Sequence, residues 1–124
     1  MYRYFNPNPL NSDRVGDCTV RALSKILKVS WDEAFDMLAD MAKKMGVMPS
    51  DKNAFSAVLR MNGFYRENIP NVCPDCYTFR DFALDNPIGK YVLCSENHVV
   101  AVVNGTYFDV WDSGDEPVLY FWTR

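Results

Sequence analysis

Two side chains in this 124-residue chain can do nucleophilic chemistry together: a cysteine near the start and a histidine near the end. Cys18 stands immediately before an apolar repeat at helical spacing, so we expect it at a helix N-terminus. The unpaired N–H groups and the dipole of a helix N-terminus favour the thiolate, which is the nucleophilic form of cysteine. The N–H of Cys18 would also face an oxyanion that forms beside the sulfur.

A thiolate nucleophile needs a base, and His98 is the single imidazole of the chain. A carboxylate or amide must then fix the orientation of that imidazole. Asp109 and Asp112 follow on a predicted hairpin and lie on opposite faces, because side chains alternate along a strand. A three-residue turn places Asp112 opposite His98. A two-residue turn places Trp111 there and Asp109 diagonally near, and the sequence leaves the turn length open.

The first half of the chain predicts helices. Asp17 is an N-cap candidate for the first of them, and Gly46 is the natural end of the second. The apolar spacing and the capping residues place the four helix starts at Cys18, at the capping box Ser30-Trp31-Asp32-Glu33, at Ser50 and at Thr78.

In the second half of the chain, the amino-acid composition is typical of β-strands. Four short runs rich in Val, Tyr, Phe and Trp cover 90–95, 98–103, 106–111 and 118–123. Asn104-Gly105 between two of them is a strong hairpin signal. Helices followed by strands predict an α+β fold with a four-stranded antiparallel sheet, and residues 1–124 have the length of a single domain.

Composition and charge narrow the classes of function. The net charge of −3 argues against a non-specific nucleic-acid binder, which usually carries a basic face. No apolar run approaches the ~20 residues that cross a bilayer, and the first residues lack the apolar stretch of a signal peptide. We therefore expect a cytoplasmic protein whose four cysteines are reduced thiols.

Two segments resemble papain-like cysteine peptidases. Gly16-Asp17-Cys18-Thr19-Val20-Arg21-Ala22-Leu23 is similar to the nucleophile helix of that family. His98-Val99-Val100-Ala101-Val102-Val103-Asn104-Gly105, followed by Tyr107-Phe108-Asp109-Val110-Trp111-Asp112-Ser113, resembles the family's histidine hairpin and orienting residue. The order of cysteine, histidine and carboxylate is also the family's order. Small bacterial and phage-encoded members share this general pattern.

The resemblance implies a papain-like domain that hydrolyses an amide or isopeptide bond in a peptide or protein substrate, without a cofactor. It assigns Cys18 as nucleophile, His98 as general base and acid, and Asp112 as orienting residue. The family usually has a glutamine that donates to the oxyanion, and this chain contains no glutamine. Asn11 is the nearest upstream amide by spacing, with Asn6 and Asn8 in reserve.

A metal site is the main alternative. Cys73 and Cys76 form a Cys-x-x-Cys pair, and Cys94 and His98 follow at Cys-x-x-x-His spacing. These four residues together predict a zinc-stabilised interaction module, in which His98 is a ligand and Cys18 has no base. A further alternative is a catalytically inactive module that binds a peptide or protein partner in the same cleft.

Overall fold

The computed structural model describes residues 1–70 and 76–124, and these ranges have the predicted α+β architecture. Within them the elements follow in chain order as β1 (Tyr2–Tyr4), α1 (Cys18–Leu27), α2 (Trp31–Met45), α3 (Lys52–Met61), β2 (Tyr65–Asn68), α4 (Phe79–Asp85), β3 (Lys90–Cys94), β4 (Val99–Val103), β5 (Thr106–Asp109) and β6 (Tyr120–Thr123).

The helix starts follow the local capping chemistry, with two corrections. The Ser30 hydroxyl accepts the Glu33 N–H at the start of α2, and Thr78 forms a capping box at the start of α4, as predicted. Asp51, rather than Ser50, is the N-cap of α3. Asp17 occupies the N-cap position of α1, but its side chain does not cap the helix.

The described strands form one six-stranded mixed sheet in the order β1-β5-β4-β3-β6-β2. The four predicted strands are its centre, and all their contacts with one another are antiparallel. The predicted four-stranded sheet is wrong in its extent, because β1 adds to β5 in parallel and β2 adds to β6. The four residues of β2 are all exposed, so no buried alternation in the sequence marks that strand.

The turn between β4 and β5 has two residues. Asn104 has φ 49° and Gly105 has φ 78°, which are the backbone angles of a type I′ hairpin turn. The strands pair Val103 with Thr106 and Ala101 with Phe108. This turn sets which carboxylate lies near His98.

Both faces of the sheet are covered. Helices α1, α2 and α3 pack on one face, where Val92, Ala101 and Trp122 belong to the core. Helix α4 covers the other face of the sheet, where Leu93 of β3 and Val102 of β4 belong to the second apolar cluster. The sheet is therefore the layer shared by two apolar clusters, and Cys18 and His98 meet at its end. In the described residues, no helix is long and apolar enough to cross a bilayer.

Candidate active site

Cys18 is the first residue of α1, and its half-buried thiol meets His98. Burial alone would raise the pKa of the Cys18 thiol, but hydrogen bonds with the His98 ring and the Val99 N–H lower it. The positive charges of His98 and Arg21 act in the same direction. The net result is a thiol with a pKa below its ordinary value, which is the requirement for a nucleophilic cysteine.

His98 stands immediately before β4 and uses both ring nitrogens. Its Nε2 lies 2.6 Å from Oδ2 of Asp109, so Nδ1 is the nitrogen that remains for the Cys18 sulfur. Burial alone would lower the pKa of His98, but the hydrogen bonds and charges of Asp109 and Cys18 raise it to about 9. The imidazole is therefore a cation at neutral pH.

Two aromatic rings hold the imidazole in place. Phe79 stacks on one side with a centroid distance of 6.4 Å, and Trp111 lies 5.2 Å from the His98 ring. The His98 side chain is only 12% exposed as a result. This enclosure limits the ring's rotation and shields its contact with Asp109 from water, which strengthens that contact.

Asp109 is the last residue of β5 and is fully buried. Its Oδ2 faces His98 and also accepts a hydrogen bond from the Ser113 hydroxyl at 2.6 Å. Its Oδ1 accepts hydrogen bonds from the Arg21 guanidinium at 2.9 Å and from the Val110 N–H at 2.8 Å. Burial alone would raise the pKa of Asp109, but the bonds from His98 and Ser113 lower it. A buried carboxylate with this many donors stays ionised and keeps one orientation.

The structure places Asp109, and not Asp112, against His98. The register of β4 and β5, continued to the strand end, sets His98 opposite Trp111 and diagonal to Asp109. Asp112 instead accepts the Tyr107 hydroxyl at 2.5 Å, and its side chain is 50% exposed. Asp109, rather than the expected Asp112, is therefore the carboxylate that faces the imidazole.

A buried arginine ties α1 to this carboxylate. Arg21 forms ion pairs with Asp17, as i,i+4 spacing suggests, and with Asp109. Asp17 also accepts the indole N–H of Trp31 at 2.8 Å, so its oxygens are committed and do not cap α1. The i,i+4 spacing accounts for the local ion pair, whereas the contact with Asp109 joins residues that are 88 positions apart and has no local signal in the sequence.

Asn11 does not line the cleft that holds Cys18 and His98. It is exposed and has a left-handed backbone, with its N–H bonded to the Asn8 carbonyl. Asn6 and Asn8 use their side-chain oxygens on backbone N–H groups of the same loop. These three asparagines therefore belong to a loop, and Asn11 does not border the cleft in which the oxyanion amide was expected.

The cleft itself offers other donors. It has a volume of about 250 Å³ and is bordered by residues 13–18 on one side and by His98 and Trp111 on the other. Asp17 does not cap α1 with its side chain, and Cys18, the first residue of the helix, lines the cleft. The N–H groups of the first helical turn have no acceptor within the helix, so they are candidate donors to an oxyanion. Asn97, which precedes the histidine, also lines the cleft and has an exposed amide that the sequence argument overlooked.

The zinc site is not assembled from its described members. Cys73 lies outside the described residues, and Cys76 is disulfide-bonded, so the expectation of four reduced thiols is wrong for Cys76. Cys94 is buried in the sheet, where burial raises the pKa of its thiol to about 12. In residues 1–70 and 76–124, no group of three or more potential ligands is arranged to hold a metal ion.

Comparisons with known proteins find no matching family model, no matching curated protein and no matching solved structure. The function of the chain is therefore inferred from the contacts of Cys18, His98 and Asp109.

Proposed function

We propose that this protein is a thiol hydrolase of the papain-like cysteine peptidase type, with an amide or isopeptide bond of a peptide or protein as its substrate. The observation that carries the proposal is the continuous chain of contacts from the Cys18 sulfur through the His98 ring to the Asp109 carboxylate. That chain combines a nucleophile, a base and an orienting group, which is the minimum set for acyl transfer through sulfur.

In the first step the Cys18 thiolate attacks the carbonyl carbon, and the new C–S bond gives a tetrahedral oxyanion. The Cys18 N–H stabilises that oxyanion. His98 donates its Nδ1 proton to the amine nitrogen, and the C–N bond breaks. In the second step His98 removes a proton from water, the water oxygen attacks the thioester, and the C–S bond breaks to return the thiolate.

Asp109 acts on the imidazole and not on the substrate. Its negative charge stabilises the imidazolium, and its hydrogen bond keeps Nδ1 directed at the sulfur. Arg21 donates to Oδ1 of this carboxylate and the Ser113 hydroxyl donates to Oδ2, so both keep the carboxylate in place. Helices α1–α4 precede the central strands β3–β6, and the cysteine stands at a helix start, which supports the papain-like fold that we propose for this domain.

The proposal is tested by labelling the native protein with radioactive iodoacetamide at neutral pH. We expect Cys18 to react at least about tenfold faster than a free thiol, because a lowered pKa increases the thiolate fraction. His98→Ala should remove that advantage. Labelling of Cys18 at the rate of a free thiol, or labelling that is unchanged in His98→Ala, would overturn the proposal.

Substrate turnover is the second test. Incubation with a mixture of peptides should give new amino termini, and Cys18→Ala should abolish their formation. A Cys18→Ala protein that still cleaves the same bonds would show that the sulfur is not the nucleophile.

A further inference from the structure

A second cavity lies at the other end of α1 from Cys18. It has a volume of about 300 Å³ and lies between the loop after β1, the end of α1 and the start of α2. None of the described residues that line it borders the cleft that holds Cys18 and His98. The cavity is therefore separate from the proposed active site and large enough for a small organic molecule. We call it the lysine pocket, after Lys25 and Lys28 in its wall.

The wall of the lysine pocket is positively charged. Among the described residues that line it, Lys25 and Lys28 are cations and none is a carboxylate. Neither lysine forms an ion pair with a carboxylate of the described residues. The two lysines stand three positions apart at the end of α1, and like charges at this spacing repel each other. In a chain with a net charge of −3, such a wall favours an anion that relieves this repulsion.

Aromatic rings fix the Lys25 ammonium group without neutralising it. Its Nζ lies 3.9 Å from the centre of the Phe108 ring and 5.2 Å from the centre of the Phe5 ring, and the side chain is half-buried. The electrons of an aromatic face attract a cation at such distances, but they do not remove its charge. Because Lys25 is already held in place, an anion that binds beside it loses little side-chain entropy.

The hydroxyl groups of the wall already have partners inside the protein. The Ser24 hydroxyl donates to the Val29 carbonyl at 2.7 Å. The Ser30 hydroxyl donates to the Glu33 carboxylate at 3.2 Å and accepts the Glu33 N–H at 3.1 Å. The two ammonium groups are therefore the side-chain donors that remain for a ligand, and ammonium groups bind phosphate and carboxylate more strongly than neutral acceptors.

Two aromatic side chains of the wall are fixed by contacts outside the pocket. The Phe5 N–H donates to the Asp109 carbonyl at 2.9 Å, and the Phe5 ring meets Phe108 edge-on at a centroid distance of 6.1 Å. The Trp31 indole N–H donates to Asp17 at 2.8 Å. Phe5 and Trp31 therefore present preformed apolar faces, which suit the ring of a ligand.

We propose that the lysine pocket is a binding site for a small organic anion, in which a phosphate or carboxylate group is joined to an aromatic ring. The anionic group binds beside Lys25 and Lys28, and the ring packs against Phe5 and Trp31. This site is independent of the proposed thiol hydrolase activity, because it uses a different set of residues.

Isothermal titration calorimetry with matched probes tests the site. Phenyl phosphate and phenylacetate carry both an anionic group and a ring, inorganic phosphate and acetate carry only the anionic group, and phenol has the ring without the anionic group. At constant ionic strength we expect phenyl phosphate or phenylacetate to bind about tenfold more tightly or better than the probes that lack one of the two parts. The tighter of the two identifies the preferred anionic group. If neither binds more tightly than inorganic phosphate, acetate and phenol, the proposal is wrong.

A pair of lysine variants tests the role of the charge. Lys28→Met removes one exposed cation of the pocket and should weaken the binding of the tighter probe about fivefold or more. Lys44→Met removes an exposed cation of α2 outside the pocket and should leave the affinity unchanged. Both variants change the net charge equally, so an equal loss of affinity in the two would show attraction by net charge alone and overturn the proposal. An unchanged affinity in Lys28→Met would overturn it as well.

Nuclear magnetic resonance locates the bound probe. The indole N–H signal of Trp31, assigned by its loss in Trp31→Phe, should shift during the titration, whereas the signal of Trp111, which borders the active-site cleft, should stay in place. Cys18→Ala should bind the probe with unchanged affinity, because Cys18 does not line the lysine pocket. A Trp31 signal that stays in place, or an affinity that is lost in Cys18→Ala, would show that the anion binds elsewhere and would overturn the assignment.

Discussion

Cys18 and His98 stabilise each other's charged form. Burial opposes both charges, but the contact between the two side chains lowers the pKa of the thiol and raises that of the imidazole to about 9. Asp109 adds to the effect on the imidazole from its other nitrogen. At neutral pH the pair therefore favours thiolate and imidazolium, and its apparent pKa values belong to the pair.

We predict a bell-shaped pH dependence of kcat/KM for peptide hydrolysis. In the proposed mechanism the Cys18 thiolate is the nucleophile, so activity should rise as Cys18 loses its proton, at a pH below the ordinary thiol pKa of 9.0. The same mechanism requires a proton on His98 for the leaving amine, so activity should fall near pH 9, where His98 loses that proton. Initial rates over the range of about pH 4 to 10 measure this profile. A descending limb centred at 6.5, the ordinary histidine value, would contradict the raised pKa.

Asp109→Asn and Asp112→Asn separate the two candidate orienting residues. Asp109→Asn removes the charge that faces the imidazolium, so we expect kcat to fall by about 100-fold or more. Asp112 is half-exposed and lies away from the ring, so Asp112→Asn should have little effect. Steady-state kinetics of both variants make the comparison. A larger loss in Asp112→Asn would show that the structure assigns the wrong carboxylate.

At the scale of elements, the site depends on how α1 docks against the end of β5. Arg21 is 5% exposed and joins Asp17 at the start of α1 to Asp109 on the strand. Trp31 extends this network to α2 through Asp17. The same contacts that hold the helix against the sheet therefore also hold the carboxylate that orients His98.

We predict that Arg21→Met destabilises the fold by about 3–5 kcal/mol, because it leaves the buried Asp17 and Asp109 carboxylates without their cation. Urea unfolding followed by circular dichroism measures the change. Lys43→Met replaces an exposed cation of α2 and is the matched control, with a change within about 0.5 kcal/mol. Equal unfolding midpoints for the two variants would mean that Arg21 contributes no net stability.

At the scale of the whole molecule, one sheet supports two apolar clusters and carries a second thiol in its interior. Cys94 is fully buried among the residues under α1–α3, and its pKa is raised to about 12. Cys18 and Cys94 are both free thiols, but only Cys18 is partly exposed. A thiol reagent added to the folded protein should therefore modify Cys18 much faster than Cys94.

We predict that iodoacetamide modifies Cys18 in the native protein and modifies Cys94 only when the fold opens. Leu38→Ala, which removes a fully buried side chain of the same cluster, should destabilise the protein by about 2–5 kcal/mol and speed the labelling of Cys94 accordingly. Peptide mapping by mass spectrometry separates the two sites. Labelling of Cys94 as fast as that of Cys18 in the unmutated protein would contradict the closed core.

The sequence by itself determined the local features of this protein. The start of α1 at Cys18, the cap at Ser30 and the four central strands follow from side-chain period and from capping residues that act over a few positions. Asn104-Gly105 also predicted the hairpin. Such features are readable because each depends on neighbours in the chain.

Only the tertiary structure decided which distant groups meet. The pairing of His98 with Asp109 depends on the length of one turn, and a change of one residue in register would have moved a different carboxylate into place. The second partner of Arg21 and the loop role of Asn11 depend on packing between remote segments. Strands β1 and β2 were missed for the same reason, since they are short edge segments defined by the strand that each one joins.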